Sequence, residues 1–268
     1  MKNKTTLFLA VSLLLTASAS HAMRWGLDLT GASNWKIDAA DLSKDLAYRT
    51  SPGTGGKLEN GSSISPSADF FMEGSSNLRL GAAVGYGVTQ HNLIYDTWSP
   101  SYVNFMDQGM LENKTSYGLL DIYLKYVPGG GKVGLFAGAG ADYMMARTSI
   151  SDNIDGSGHP QASNHKGTFS QNKVVPHLQA GAEFFLFKWL SLNIGAKYIF
   201  SAVLDDLTGN LTGPGVSPGK QLLIMTQTGS GEKIGYSPAS AALPSGSRPF
   251  KYDLSGLRIN AALRVYFH

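Results

Sequence analysis

Eight stretches of the chain carry an apolar residue at every second position, a period that makes each a strand, because successive side chains of a strand point to opposite faces. They run Trp25–Leu29, Ala68–Met72, Leu78–Val88, Leu120–Tyr126, Val133–Tyr143, Pro176–Leu186, Leu190–Phe200 and Leu257–Phe267. The charged residues that go with them, Arg24, Asp28, Asp69, Glu73, Arg79, Asp121, Lys125, Asp142, Glu183, Lys197, Arg258 and Arg264, all fall on the opposite parity. A soluble sandwich with charges in water gives the same alternation as a barrel with charges in its lumen, so parity alone leaves both open.

Connection lengths separate the two. Gly74–Asn77, Pro128–Gly131 and Phe187–Trp189 are tight turns, whereas the other four connections take roughly 30 to 55 residues, far beyond an ordinary hairpin loop. Short turns at one end and long loops at the other are the pattern of outer-membrane barrels. Aromatic residues of the apolar parity gather at both ends. Trp25, Phe70, Tyr126, Phe184 and Phe267 lie near the short turns, and Tyr86, Tyr143, Tyr198 and Phe200 near the long loops, as two interfacial girdles require. The expected fold is therefore all-β: an eight-stranded antiparallel transmembrane β-barrel of up-and-down topology, closed so that no edge is left unpaired in lipid. An even strand count puts both termini on the short-turn, periplasmic side and four long loops outside the cell.

Lys2 and Lys4, the apolar run Leu7–Leu15 and the small-x-small triplet Ser20, His21, Ala22 form an export signal over residues 1–22, leaving 23–268 as the barrel domain. No later stretch reaches the roughly 18 apolar residues of a membrane helix. The chain has no cysteine, which excludes disulfides, thiolate metal sites and cysteine nucleophiles. Without Lys2 and Lys4, twenty bases face nineteen acids, a balance that predicts no nucleic-acid partner.

Two stretches, Tyr117–Tyr143 (YGLLDIYLKYVPGGGKVGLFAGAGADY) and His177–Phe200 (HLQAGAEFFLFKWLSLNIGAKYIF), join an aromatic-ended strand through a short turn to a second strand, Gly-rich in the first case. They resemble the small OmpA/OmpX/OmpW-like outer-membrane β-barrel domains. The final strand, ending Arg264, Val265, Tyr266, Phe267 before His268, is similar to the assembly signal of that class. The resemblance implies outer-membrane lipid and the barrel assembly machinery as partners in a Gram-negative type of envelope. It identifies architecture rather than activity.

The charged parity mixes large residues (Phe71, Tyr123, Phe136, Phe185, Tyr266) with glycines such as Gly81, Gly138 and Gly181. Eight strands enclose a space just wide enough for side chains to fill, so a packed, charge-paired lumen is expected rather than a general porin. The alternative is a narrow channel for small solutes, gated at His177, which shares its inward face with Glu183. Pro128–Lys132 lacks the spacing and the Ser or Thr of a phosphate loop, and Gly138 and Gly140 lack the third glycine of a dinucleotide site. Asp152, Asp155, His159 and His165 match no calcium or zinc spacing and are read as loop residues. No metal, cofactor or catalytic residue is expected. A lipid-modifying enzyme needs a base beside a nucleophile; His177 has no His-x-Ser neighbour, and His91 lies just past the third strand, so the chain is read as a non-enzyme. The longest loop, Leu204–Lys251, contains the strand-like Gln221–Thr228. It is expected to rise as a hairpin or folded cap. Leu222, Leu223, Ile224 and Met225 then either form an exposed contact patch for an unknown extracellular ligand or cover the barrel mouth. The resulting functional expectation is a barrel that presents surface loops for binding or for shielding.

Overall fold

The computed structural model describes residues 24–34, 39–50, 56–60, 64–73, 78–98, 106–127, 132–154, 164–229 and 231–267; the expected leader and His268 lie outside them. Strand β1 (Arg24–Asn34) is followed by helix α1 (Ala40–Arg49) and the short β2 (Gly56–Asn60). Next come β3 (Ile64–Glu73), β4 (Leu78–Trp98), β5 (Met106–Tyr126), β6 (Val133–Ile154), β7 (Asn164–Phe187) and β8 (Leu190–Ile199). Six short strands precede the last: β9 (Val203–Leu204), β10 (Thr208–Thr212), β11 (Gln221–Thr228), β12 (Gly231–Pro238), β13 (Ser247–Pro249) and β14 (Tyr252–Asp253); then comes β15 (Gly256–Phe267).

Eight of these strands make a closed ring. Each of β3 to β7 pairs antiparallel with the next, β8 pairs with β15, β15 with β1, and β1 with β3. The closing register runs from Trp25 opposite Phe267 to Asn34 opposite Arg258, which brings Arg24 and Phe267 to the same rim as the Phe187–Leu190 turn, where Tyr266 N–H donates to the Trp189 carbonyl at 2.9 Å. Around the ring the apolar parity points outward and is exposed, with Val84 at 66% and Leu135 at 65%. The other parity faces the lumen.

Part-way up the long strands the outward face changes from apolar to polar, and on β6 the inward face changes the other way. On β6 the outward side runs from exposed Val133 and Leu135 up to Tyr143 and Met145, and above these it becomes Arg147 and Ser149. The inward side changes the other way, from buried Asp142 to buried Met144, Ala146 and Ile150. On β7 the outward series changes from Leu178, Pro176 and Val174 to Asn172 and Ser170, and the ladder sets Tyr143 opposite Val174 and Arg147 opposite Ser170. Below the switch the ring is apolar outside and polar inside; above it the order is that of a water-soluble protein.

Above the switch the ring gives way to a wider sheet. Strand β2 pairs with the upper part of β4, β10 with the upper part of β7, and β11 and β12 follow on β10. Helix α1 lies against β12, β2 and β4. An apolar core fills this region, built from Leu42 of α1, Met144 and Ile150 of β6, Phe169 and Val175 of β7, and Phe250 and Tyr252. Two expectations are corrected here. The second and third long connections are mostly strand, with β4 continuing to Trp98, β5 beginning at Met106, β6 reaching Ile154 and β7 starting at Asn164. The outward apolar series that marked these strands stops where the polarity inverts, although the strands do not. The second correction concerns the hairpin β11–β12. It forms, but Leu223, Ile224 and Met225 are buried and Leu222 is half-buried, because they complete the apolar core instead of presenting a contact patch.

Inside the ring, glycines make room for large rings. A Cβ on Gly81 would lie 2.1 Å from Tyr123 Cζ, and one on Gly26 would lie 2.1 Å from Phe71 Cζ. Gly81→Val is expected to lower unfolding stability by about 1–3 kcal/mol through overpacking, read from urea unfolding in detergent micelles; an unchanged midpoint would mean the lumen is loosely filled.

Candidate functional site

The lower lumen is closed by a cluster of charged and aromatic side chains. Arg264 grips Asp28 through both carboxylate oxygens and reaches Glu183 at 2.6 Å. Arg79 bonds Glu73 at 2.9 Å, Glu183 at 3.3 Å and the Tyr266 hydroxyl at 2.9 Å. Tyr266 and Ser191 each donate to Glu183 at 2.5 Å. Both guanidinium groups also lie over the Phe71 ring, at 4.5 Å and 4.8 Å from its centroid, the cation–π geometry that suits a weakly hydrated guanidinium. Charge-assisted bonds at Glu183 from two arginines and two hydroxyls satisfy a carboxylate that is fully buried and would otherwise be too costly to desolvate.

Higher in the lumen, Tyr123 donates to Asp69, and Lys125 Nζ sits over the Tyr123 and Phe136 rings at 4.3 Å and 5.0 Å. Lys197 bonds Asp142 at 2.8 Å, and His177 Nδ1 lies 3.5 Å from the other oxygen of Asp142. A polar cavity of about 70 Å³, lined by Asp69, Lys125, Gln179, Asn193, Arg258 and Asn260 among others, lies between these groups. That volume suits about two waters.

Of the residues the sequence assigned to the lumen, Asp28, Asp69, Arg79, Lys125, Asp142, Glu183, Arg258 and Arg264 are buried, and Glu73 and Lys197 are half-buried. Arg24 is exposed, because it is the first residue of its strand and stands at the ring's rim. Asp121 stands opposite Asp142 in the ladder; its side chain lies outside the described residues. His177 shares the inward face of β7 with Glu183 as expected, and its Nδ1 faces Asp142, while Glu183, six residues further along β7, bonds the two arginines. In the third loop, His165 contacts the Pro214 carbonyl at 3.0 Å, and Asp155 and His159 lie outside the described residues, as does the side chain of Asp152. Among the described residues no group of three or more His, Asp or Glu side chains is arranged to hold a metal.

A second cluster, which the sequence did not signal, locks the first long loop to the fourth. Arg248 forks onto Asp41 of α1 at 2.6 and 2.7 Å and onto Glu232 of β12 at 2.9 Å twice. Asp41 also accepts from the Lys251 N–H at 2.7 Å, Asp45 accepts from the Ile234 N–H at 2.8 Å, and Lys44 pairs with Glu232 at 2.8 Å. These bonds spend the polar face of α1 on the hairpin while Leu42 and Leu46 enter the core. Nearby, Tyr252 shares hydrogen bonds of 2.8 Å with Thr89 and with His91 Nδ1, which ties the end of the fourth loop to β4. Hydrogen bonds from Arg248 and Lys44 hold the Glu232 carboxyl down at about 2.

No family model and no curated protein matches the chain. Among solved structures, the fold is similar to the outer membrane protease OmpT from Escherichia coli, 9% identical over 91% of this chain and 96% of that one, with a TM-score of 0.45. It is also similar to a major outer membrane protein from Thermus thermophilus, 15% identical over 91% of this chain and 100% of that one (TM-score 0.41). A third, the outer membrane protein OprG from Pseudomonas aeruginosa, is 14% identical over 92% and 94% of the two chains (TM-score 0.35).

Arg248→Gln leaves nearly buried Asp41 without its charged partner and is expected to cost about 2 kcal/mol. Limited proteolysis should then cut within residues 200–255 much faster than in the wild type while the ring persists. Glu232 has a lowered value, so its contribution is complete above its ordinary 4.5 and fades as pH falls towards 2. Wild-type cleavage should rise across that window, and a flat profile would remove the clamp from the cap's stability.

Proposed function

We propose that the chain is an outer-membrane β-barrel whose sealed lumen anchors a folded surface module outside the cell, and that it binds through that module rather than conducting solutes or catalysing a reaction. The single observation that carries this reading is the change of the outward face from exposed apolar to polar side chains along β4 to β7, with the inward face changing the other way on β6. Large exposed apolar surfaces are rare on soluble proteins, and here the exposed apolar side chains circle a closed ring. From Val133 to Tyr143 is ten residue steps, about 33 Å of strand and about 25 Å of depth at a tilt near 40°, the height of a lipid band. Closure satisfies every strand edge, which lipid demands.

The sealed lumen supports the anchoring role. Below the small polar cavity stand Phe71, Tyr266 and the Arg79–Glu183–Arg264 cluster; above it lies the apolar core. Opening a path would separate buried charge-assisted bonds at the lower end and unpack the core at the upper one. Among the described histidines, His177 faces Asp142, His165 contacts Pro214, and His91 bonds Tyr252. Termini in the periplasm and the capped end outside the cell follow from the even strand count.

Two measurements test this. Ile122, exposed within the apolar part of the outward face of β5, should cost about 2–4 kcal/mol on Ile122→Arg if it faces the bilayer midplane; a change near zero in lipid vesicles would overturn the membrane assignment. In planar bilayers the purified protein should show no steady conductance of porin size, since side chains fill an eight-stranded interior. Stable large channels would replace the anchor with a pore.

A further inference from the structure

The outward face of the sheet above the polarity switch is polar, concave and basic. It encloses a space of about 820 Å³ across β5, β6, β7 and β10. The ladder arranges it in rows: Ser116, Arg147, Ser170 and Thr208 stand side by side nearest the switch, Lys114, Ser149, Thr168 and Asn210 next, and Glu112, Ser151, Lys166 and Thr212 beyond. Strands about 4.8 Å apart and alternate residues about 6.7 Å apart make this a patch roughly 15 Å on a side.

Its chemistry is one-sided. Lys114, Arg147, Lys166 and Lys220 are exposed cations lining the space, and among the described residues Glu112 is the sole carboxylate lining it, already accepting a 3.0 Å bond from Gln90. Between the cations stand hydroxyls. Among the described residues no aromatic side chain lines the space, so these residues offer no ring surface on which a neutral sugar could stack. Cations spaced among hydroxyl donors suit phosphate oxygens, Arg by a fork and Lys as a point charge. Its position narrows the source, because Arg147 is the next outward residue above Met145, the last exposed apolar side chain of β6. A group bound there sits at headgroup height.

We propose that this face is a binding site for the phosphate-bearing saccharide headgroup of an outer-leaflet glycolipid, which would make the module a lipid-ordering or lipid-recognising surface. The proposal rests on the membrane reading above, and its test is arranged so that the two fail separately.

Wild-type protein is first inserted into neutral phosphatidylcholine nanodiscs, then offered a bisphosphorylated glucosamine-disaccharide glycolipid, the same lipid after enzymatic dephosphorylation, and a soluble acyl-free bisphosphorylated disaccharide. The expected result is insertion into the neutral discs and retention of the phosphorylated lipid about tenfold or more above the dephosphorylated one. That preference should shrink with added salt, since exposed charges are screened, and disappear in the K114Q/R147Q/K166Q variant while its heat-dependent gel mobility stays that of the wild type. Failure to insert without any glycolipid overturns the membrane reading itself. Insertion with equal retention of the two lipids overturns this proposal alone, and it does so on the wild type, whether or not the variant folds. Equal affinity for the soluble disaccharide overturns the lipid as source. A retained preference in the folded variant places the phosphate elsewhere.

Discussion

Pairing between the first and last ring strands is the condition for everything else, because it converts a row of eight strands into a ring with no free edge. Trp25 meets Phe267 and Leu29 meets Leu263 across that seam, so the outward apolar face and the lumen both continue unbroken through it. A one-residue slip would turn every side chain of β1 to the other face, placing Asp28 outward among apolar neighbours and Leu29 against Arg264. The register is thus fixed by both faces at once. The bond from the Tyr266 N–H to the Trp189 carbonyl adds a further tie beside the seam.

Within the ring, like charges face each other across strands, Asp28 opposite Asp69 and Asp121 opposite Asp142, an arrangement that is destabilising on its own. Different donors remove the conflict: Arg264 takes Asp28, Tyr123 takes Asp69, and Lys197 with His177 takes Asp142. Burying so many ions contributes little net stability compared with apolar packing. What it provides is mutual dependence. Glu183 collects bonds from three other ring strands, β4, β8 and β15, and Phe71 of a fourth lies beneath both guanidinium groups. Strands on opposite sides of the ring are therefore held at fixed distances through the middle.

Much of this was legible in sequence where one rule governed both faces. The stretches Val133–Tyr143, Leu190–Phe200 and Leu257–Phe267 begin within a residue of the observed strands, and parity together with the connection lengths put Asp28, Arg79, Glu183 and Arg264 inside. The rule failed where the outward face turns polar. Above Met145 the apolar series moves to Met144, Ala146 and Ile150, on the other parity of the same strand, so a search tuned to outward apolar residues loses β6 halfway up; a search accepting a reversal of phase would have kept it. Whether Leu223 to Met225 form an exposed patch or lie covered stayed open, because a single apolar run carries no information about what will cover it. Helix α1 and its Asp41–Arg248 contact depend on partners brought together only by the finished fold, and no local spacing announces them.

The distance along the chain between Asp41 and Arg248, 207 residues, bears on how the molecule reaches its final form. Contacts so far apart in sequence repay the entropy of closing the intervening loop only after other structure has shortened it. The long hairpins β4–β5 and β6–β7 join strands that are neighbours in the chain and need no such help, but α1 finds its place only once β15 has met β1 and carried the fourth loop over the top. The cap is thereby the last part to order, and a helix seated on the hairpin reports that the whole circuit below has closed.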